Sequence, residues 1–266
     1  MNALRMRWVL PPVLLALALL YAPLLTIAVQ SVNAARYGTS WQGFTWAWYA
    51  KLFQNETIGA AARNTLLLAC VSTAVSTVLG TLLALGLDRM PWPPALRRGL
   101  DVLLHLPVIT PDILFAAALV VAFACLRSAS SVFDPGMVPM ILGHITFQVA
   151  FVALVVRARL STLEKDLYEA ARDLYAERGF VFRHLTLPLL MPAVVAGALL
   201  AFTLSLDDFI ISFFTTGAHS DTLPIFIYGS LRRGISPEIH ALSTLMVLVT
   251  VGLVVGVERL TRAKEA

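Results

Sequence analysis

Three aspartates stand inside long apolar runs of this 266-residue sequence, and their carboxylates are the groups best suited to chemistry there. Asp112 follows Thr110 and Pro111, and Asp207 and Asp208 are adjacent in the run LSLDDFIISFFTTG. A carboxylate at bilayer depth costs about 2.5–3.5 kcal/mol on insertion scales, so it normally faces a cavity or a polar partner. The three residues therefore predict either a pathway for a cation or polar contacts that hold helices together.

The adjacent pair cannot serve one surface equally well. Neighbouring residues on a helix point about 100° apart, because 3.6 residues make one turn. One aspartate could accept a backbone N–H freed by a helix break, or pair with an arginine such as Arg232, and Asp112 could likewise cap a broken helix. We favour a pathway or structural polar role for the pair over direct binding of a ligand.

Aromatic residues lie near the acidic pair in sequence, and an aromatic face can hold a cation. These residues are Phe202, Phe209, Phe213 and Tyr228. A phenylalanine pair spaced like Phe209 and Phe213 is more often simple helix packing.

No other set of residues is arranged for catalysis. The five histidines show no HExxH or paired spacing, so we predict no metal site. No G-x-x-x-x-G-K-[ST] loop is present to bind nucleotide phosphates, and no nucleophile and base are paired at depth. These observations argue against an intramembrane enzyme. Cys70 and Cys125 lie in apolar runs, where we expect small buried hydrophobic residues rather than a disulfide.

One densely charged segment, LYEAARDLYAERGFVFRHLTLP at 167–188, interrupts the apolar sequence. Ser161 and Glu164 fit a capping box that predicts a helix start, and Gly179 is a candidate for its end. One face of this helix is apolar, with Leu163, Leu167, Ala170, Ala171 and Leu174 at helical spacing. Two interpretations remain open: a helix lying on the membrane surface, and a helix that docks into a groove of a partner protein.

The composition predicts that these residues are positioned by membrane-spanning helices. The sequence is 58% hydrophobic and 14% charged, with a mean hydropathy of +0.79, whereas soluble domains carry about 25% charged residues. The length rule predicts an uncleaved first span and five more. The six spans are 9–32, 64–87, 102–125, 137–156, 189–214 and 241–258. Pro107 and Pro111 should kink the third of them.

The distribution of Lys and Arg predicts that both termini face the cytoplasm. This orientation leaves only six of the 20 basic residues outside, and it places the loop 157–188 in the cytoplasm. The six are Arg36, Lys51, Arg63, Arg127, Arg232 and Arg233. Aromatic residues in the outer segment 41–53 favour a short helix at the headgroup level.

The charged segment resembles the EAA loop of ABC-importer permease subunits. Glu169, Ala170 and Ala171 match the loop in kind and spacing, and so do Leu187 and Pro188 downstream. The family usually has glycine six residues after the glutamate, where this chain has Tyr175, and Gly179 follows four residues later. Either the turn of the loop has shifted, or Tyr175 packs against the partner.

The resemblance extends from about Trp41 to the last span. The stretches WYAKLFQN, VITPDI, LSLDDFIISFFTTG and LPIFIYGSLRRGISPEIHALST are similar to the second transmembrane subunit of spermidine/putrescine importers. This similarity implies an all-α integral membrane protein with the six-helix type I importer fold, forming one permease domain over residues 1–266. It also implies a multi-pass protein of the bacterial inner membrane.

The family also implies the partners and the site residues. A permease of this kind binds no cofactor and is not an enzyme. It pairs with a second permease as a heterodimer and receives cargo from a periplasmic or lipid-anchored solute-binding protein. Two ATPase subunits carry ATP and Mg²⁺ and dock on the loop. No nucleic acid is involved.

The implied coupling residues are Glu169, Ala170, Ala171, Asp173, Leu174, Tyr175, Gly179 and Pro188. The candidate substrate-pathway residues are Asp112, Asp207, Asp208, Phe209 and Tyr228.

Other functions remain open from the sequence. A permease of the same class could carry another small solute, such as a different cationic metabolite, a phosphonate or an opine-like compound. An ion-coupled secondary carrier would usually show inverted repeats, and we find none in the sequence. For the polyamine permease, we expect Asp208→Asn to slow uptake without loss of assembly.

Overall fold

The computed structural model describes residues 3–36, 40–163, 165–233 and 236–262. Within these ranges the chain is almost entirely helical, and its only β pairing is an isolated antiparallel bridge between Asn33 and Phe44. The all-α prediction is therefore confirmed. Twelve α-helices are described: α1 Ala3–Gln30, α2 Ala47–Gln54, α3 Glu56–Arg89, α4 Pro94–Ile109, α5 Asp112–Arg127, α6 Met137–Ser161, α7 Lys165–Asp173, α8 Arg178–Val181, α9 Leu187–Asp207, α10 Ile210–Thr215, α11 Leu223–Arg233 and α12 Pro237–Arg262. A 3₁₀-helix spans Ser131–Phe133, and a π-helix spans Phe182–Thr186.

Every predicted span has a helix at its position, but the helices differ in their capacity to cross a bilayer. Within the described residues, four are long and apolar enough by themselves: Leu10–Gln30, Glu56–Arg89, Met137–Ser161 and Arg178–Asp207. The apolar part of α12, Pro237–Gly252, is shorter. The count of six spans thus stays a prediction.

The third predicted span is two helices rather than one kinked helix. α4 ends at Ile109, α5 begins at Asp112, and the two are bent by 112°. Pro111 has no N–H and restricts the residue before it, and Thr110 is accordingly extended at ψ 131°. The pair therefore forms a broken span or a re-entrant hairpin, a sharper change of direction than the sequence suggested.

The fifth predicted span is also interrupted. Helical structure begins at Arg178, passes through the π-turn Phe182–Thr186, and continues as α9 to Asp207. Pro188 therefore lies within a continuous helical run, in the first turn of α9, and the π-turn precedes it. A wider turn next to a proline relieves the clash of its ring with the preceding backbone. After Asp207 the helix stops, and α10 begins at Ile210.

The structure divides into two compact units, which are described separately. The terminal unit comprises Met1–Gly59 and Phe226–Ala266, and the central unit comprises Ala60–Ile225. In the terminal unit α12 packs against α1 and α2. The buried Asn33 carbonyl accepts the Trp48 indole N–H at 2.7 Å, while Trp41, Phe44 and Trp46 remain exposed. The short aromatic helix predicted within 41–53 is α2.

In the central unit α6 is the helix around which the others pack. It contacts α4, α9 and α10, and its Val152, Val156 and Leu160 belong to the buried core. Two glycines allow the close approach: a methyl group on Gly80 of α3 would lie 2.7 Å from Val152 Cβ, and one on Gly197 of α9 would lie 3.3 Å from Val152 Cγ1. Small residues at such crossings let helix backbones come together.

The cysteines differ from the sequence expectation. Cys70 and Cys125 are both free, but both are exposed on the protein surface and not buried. They lie on α3 and α5, which also expose large apolar side chains such as Leu79 and Val121. This is the surface expected of helices whose solvent is lipid.

Candidate functional site

The helix break between α9 and α10 separates the two adjacent aspartates. Asp207 is the last residue of α9, whereas Asp208 is extended, with ψ 121°. The Asp208 carboxylate accepts the backbone N–H of Ser212 at 2.8 Å and that of Ile211 at 3.3 Å. These N–H groups belong to the first turn of α10, where no helical carbonyl is available to them. Asp208 therefore caps α10. This is the first of the two alternatives given for the pair, in which one aspartate accepts backbone N–H groups freed by a helix break.

A histidine completes the environment of Asp208. His144 of α6 is fully buried, and its Nε2 lies 3.2 Å from Asp208 Oδ2 and 3.1 Å from Ser212 Oγ. Its other ring nitrogen, Nδ1, lies 2.8 Å from Ser205 Oγ. The sequence pattern of His144 was informative only about metal binding and gave no indication of this role. A histidine inside an apolar span, with Gln148 one turn further on, was the available signal.

Asp207 has a different environment. Its side chain is exposed, and it lines a cavity of about 430 Å³ at the bend between α4 and α5 and the break after α9. Asp112, the first residue of α5, and Asp208 line the same cavity. The structure therefore brings the adjacent pair together with a carboxylate that lies 95 positions before Asp207 in the sequence. Asp112 makes no side-chain hydrogen bond within the described residues, so the capping role considered for it is not seen.

Aromatic rings form much of the cavity wall. Phe209 is among them, as predicted, and it is joined by Phe115, Phe147 and Phe151, which the sequence analysis did not select. These three phenylalanines come from α5 and α6, whose packing brings them beside the acidic residues. Of the three carboxylates in the lining, Asp112 and Asp207 are exposed. Together with several aromatic faces they form a site suited to an elongated cation, since a cation is attracted to both kinds of group.

Other predicted members of the site lie elsewhere. Phe202 and Phe213 do not line this cavity. Tyr228 belongs to the terminal unit, where its hydroxyl accepts a hydrogen bond from Arg232. Arg232 is therefore bonded within its own helix, and Asp208 pairs with His144 instead. Among the described residues, no three His, Cys, Asp or Glu side chains gather in a way that would hold a metal ion.

The charged segment forms α7, followed by a tight turn at Tyr175. The Ala176 N–H donates to the Ala171 carbonyl at 3.0 Å, and the Tyr175 N–H donates to the Arg172 carbonyl at 2.9 Å. Tyr175 has φ +56°, in the left-handed region. This pattern is a Schellman motif, with Tyr175 at the position that glycine usually takes. The turn has therefore not shifted, and Gly179, which lies in α8, does not end the helix.

The predicted start of this helix is also wrong. Ser161 is the last residue of α6, and its hydroxyl donates to the Ala158 carbonyl at 2.8 Å instead of capping a new helix. Glu164, the other half of the expected capping box, lies outside the described residues. Leu163 packs against the core of the central unit and does not join the face of α7. α6 is longer than its apolar sequence suggested, because its last turn still packs on α4 and α9.

The apolar face of α7 borders an open groove of about 570 Å³. The groove is walled on one side by Leu167, Ala170, Ala171 and Leu174, and on the other by the run that starts at α8. Leu174 is 82% exposed, and Tyr175 beside it is 95% exposed. Such exposure of large apolar groups is typical of a surface that another protein covers.

The opposite face of α7 is attached to the helical bundle. The Arg89 guanidinium at the end of α3 lies 4.1 Å from the centre of the Tyr168 ring. The hydroxyl of Tyr168 is buried and has no hydrogen-bond partner among the described residues. This contact joins α7 directly to the end of α3. The remaining coupling candidates, Glu169 and Asp173, are exposed to solvent.

Comparisons with known proteins identify the family of this chain. Residues 76–265 match the family model of the binding-protein-dependent transport system inner membrane component. The chain is 35% identical to the spermidine/putrescine transport system permease protein PotC of Haemophilus influenzae, over 92% of this chain and 93% of that protein. It is 37% identical to the putrescine transport system permease protein PotI of Escherichia coli (strain K12), over 94% of this chain and 89% of that protein.

A solved structure shares the fold. One chain of a bacterial ABC transporter involved in the import of the acidic polysaccharide alginate superimposes with a TM-score of 0.77 at 19% identity, covering 98% of this chain and 95% of that chain. With the family match, this likeness confirms the type I importer permease fold. The chain thus belongs to the inner membrane components of binding-protein-dependent transport systems, as a multi-pass permease subunit and not as an ion-coupled carrier.

Proposed function

We propose that this permease moves polyamines across the inner membrane through the cavity between Asp112 and Asp207. The cavity carries the proposal, because it combines separated carboxylates with aromatic walls. Polyamines are ammonium groups on a methylene chain, so they need carboxylates for the charges and apolar faces for the stem. The names of the relatives, which are permeases for spermidine and putrescine, support the same substrate class.

The geometry favours Asp207 over Asp208 as the residue that meets cargo. Asp208 has both carboxylate oxygens occupied by N–H groups of α10 and by His144. Asp207 is exposed beside Asp112. Phe209 contributes a ring to the cavity wall. Tyr228 belongs to the terminal unit and is not among the residues that line the cavity, so it is not assigned a direct role with cargo.

Uptake by the complete reconstituted transporter tests the proposal. Spermidine and putrescine should be imported, and Asp207→Asn should lower the maximal rate about tenfold, since one charge-assisted hydrogen bond is worth roughly 1.5–3 kcal/mol. Asp134→Asn is the matched control, because Asp134 is an exposed carboxylate paired with Arg127 away from the cavity. Normal uptake by the Asp207 variant would overturn the assignment. If the transporter imported another cationic metabolite, a phosphonate or an opine-like compound but no polyamine, the proposed substrate class would be wrong.

We propose further that α7 is the coupling helix, which receives an ATPase subunit in its apolar groove. The chain lacks a phosphate-binding loop, so ATP and Mg²⁺ are assigned to the two partner ATPase subunits. The exposed Leu174 and Tyr175, beside small residues that allow close approach, favour a protein partner over the lipid surface. The exposed Glu169 and Asp173 are then available for ion pairs at the rim of that interface.

The coupling proposal is tested by filling the groove. Ala171→Trp should block ATPase co-purification and uptake together, because an indole would occupy space that the partner needs. Ala129→Trp, at an exposed position after α5, makes the same chemical change elsewhere and should leave both intact. Retention of the ATPase by the Ala171 variant would place the coupling surface elsewhere.

The remaining partners follow from the family. A second, similar permease completes a heterodimer, and a periplasmic or lipid-anchored binding protein delivers cargo on the face opposite α7. Both termini are assigned to the cytoplasm by the positive-inside rule. The exposed apolar helices contact membrane lipid, and no nucleic acid takes part.

A further inference from the structure

Buried polar side chains form a connected chain through the middle of the central unit. Ser72 Oγ of α3 lies 3.3 Å from Ser205 Oγ of α9, which lies 2.8 Å from His144 Nδ1. The other ring nitrogen of His144 reaches Ser212 of α10 and Asp208. Both serines of the first contact and His144 are at most 2% exposed. Such a network is expensive to bury unless its members satisfy one another.

The directions of these hydrogen bonds follow from the groups involved. A carboxylate only accepts, so His144 Nε2 must carry the hydrogen that faces Asp208. In the neutral ring Nδ1 then accepts the hydroxyl hydrogen of Ser205. The Ser72 hydroxyl can then donate either to the Leu68 carbonyl at 2.7 Å or to Ser205 Oγ at 3.3 Å, since the hydrogen of Ser205 is already used by His144. Rotating the His144 ring would break contacts on both sides, so the network holds the ring in one orientation.

His144 thereby joins α6 to both sides of the helix break. Ser205 lies on α9 two residues before Asp207, and Ser212 lies on α10. Asp208 is the first of the two residues between these helices. His144 itself does not line the cavity, whereas Phe147 and Phe151, further along the same helix, do. The histidine therefore contacts both sides of the break without lining the cavity, and it is placed to fix the geometry of the break.

We propose that His144 is a positioning residue that holds the break between α9 and α10 so that Asp207 faces the cavity. It acts through Asp208 and Ser205 and touches no cargo. The inference rests on the proposed function only in assigning Asp207 to the pathway. Its physical basis is that a functional side chain at a helix end is only as well oriented as the contacts that hold that end.

Thiol labelling in the assembled, reconstituted transporter measures this geometry directly. The parent carries Cys70→Ala, Cys125→Ala and Asp207→Cys, and the probe is a small water-soluble cationic thiosulfonate. Adding His144→Leu, which keeps volume but no hydrogen bond, should change the labelling rate about fivefold or more, the factor that one buried hydrogen bond supplies. Adding His144→Gln, whose amide can still donate to Asp208, should keep the rate within about twofold of the parent.

Transport kinetics give the second measurement. With Asp207 in place, His144→Leu should lower the maximal uptake rate, while the KM stays within about twofold, because delivery by the binding protein is unchanged. Parental labelling in the Leu variant would overturn the inference, as would equal effects of Leu and Gln. If the Leu variant does not assemble, Ser205→Ala removes the contacts of that hydroxyl to Nδ1 and to Ser72 but leaves His144 bonded to Asp208. It should shift labelling in the same direction, and an unchanged rate would overturn the inference.

The failure of the proposed function gives a different result. If Asp207→Asn imports polyamines normally, Asp207 is not a pathway residue, whereas the labelling rates still report whether His144 sets its position. If Asp207→Asn is slow but labelling does not depend on His144, the pathway assignment stands and the positioning role falls.

Discussion

At the residue scale, two adjacent aspartates have different tasks because a helix ends between them. Asp208 leaves the helical path and turns its carboxylate to the first turn of α10 and to His144. Asp207 keeps its helical position and faces the cavity shared with Asp112. A pair that looks redundant in sequence is therefore one structural residue and one residue open to solvent.

This division changes the expectation for Asp208→Asn. The amide keeps one acceptor oxygen but loses the charge and its good contact to His144, so we expect the transporter to lose about 1–3 kcal/mol of stability as well as activity. Thermal unfolding of the purified complex in lipid nanodiscs measures the effect. Asp207→Asn is the control, because its carboxylate caps no helix, and it should leave the midpoint unchanged. Equal midpoints for both variants would contradict the assignment of Asp208 as a cap.

At the scale of elements, helix crossings and helix ends decide the packing of the central unit. Gly80 and Gly197 bring α3 and α9 onto Val152 of α6. Two other glycines in apolar helices, Gly86 of α3 and Gly252 of α12, have no atom within 4 Å of an added methyl group. Glycine in a span thus permits a close crossing only where a neighbouring helix uses it.

The crossing predicts opposite effects for two identical substitutions on α3. Gly80→Ala would place a methyl group 2.7 Å from Val152 Cβ and 2.9 Å from the Val149 carbonyl oxygen, so we expect a loss of about 1–3 kcal/mol. Gly86→Ala meets open space and gains up to about 1 kcal/mol from helix propensity. Unfolding midpoints of the two variants decide the matter, and a Gly80 variant as stable as the Gly86 variant would contradict the packing.

The turn after α7 predicts a strain that can be tested by proteolysis. A side chain in the left-handed region costs about 1–2 kcal/mol, so Tyr175→Gly should close the turn more firmly, and Tyr175→Val should open it. Trypsin cleavage after Arg172 and Arg178, which flank the turn, should be slower in the first variant and faster in the second. Tyr175→Phe, with the same backbone preference, should match the parent. The reverse order would argue against the left-handed turn.

At the scale of the whole molecule, the exposed surface is that of a protein dissolved in lipid. No residue in the apolar window of α1 is buried, and Leu15, Leu19 and Leu20 are each more than 60% exposed. In water such a surface would aggregate. In a bilayer the exposed apolar side chains contact lipid tails, and the helix satisfies its own backbone hydrogen bonds. The bilayer also explains why basic residues concentrate in one set of loops.

That concentration predicts the sidedness of the loops, and labelling of intact cells tests it. In the variant without Cys70 and Cys125, Ser130→Cys between α5 and α6 should react with a membrane-impermeant maleimide. Glu177→Cys in the loop 157–188 should react only after the membrane is opened. A cysteine appended after Ala266 should behave like the one at position 177. Labelling of the appended cysteine on intact cells would mean that α12 does not complete a sixth span.

Local patterns in the sequence were sufficient for several features. Apolar length predicted the positions of the helices, Pro111 predicted an irregularity in the third span, and the stripe of α7 predicted an exposed face. Each depends on residues close together in the chain, where propensity and covalent geometry dominate. The helix start predicted from the capping box at Ser161 was wrong because it depends on tertiary contacts. Packing on α4 and α9 extends α6 to Ser161, so no new helix begins there.

The site could be predicted only in part. A carboxylate inside an apolar span is rare because its insertion into the bilayer is unfavourable. Asp112, Asp207 and Asp208 could therefore be selected without a structure. The phenylalanines at 115, 147 and 151 are ordinary span residues, and His144 is one of five histidines with no motif. Their roles arise from contacts between helices that are distant in the sequence, such as His144 with Ser205 and Asp208.

The sequence by itself determined that this chain resides in a membrane, that it carries acidic groups within its apolar runs, and that one amphipathic helix lies outside those runs. Those properties are sums over composition and short-range spacing. Only the tertiary structure decided which aspartate caps α10 and which is exposed in the cavity, which glycine lies at a crossing and where α9 stops. The physical reason is that a side chain's direction depends on the neighbours that satisfy its hydrogen bonds, and those neighbours come from other helices.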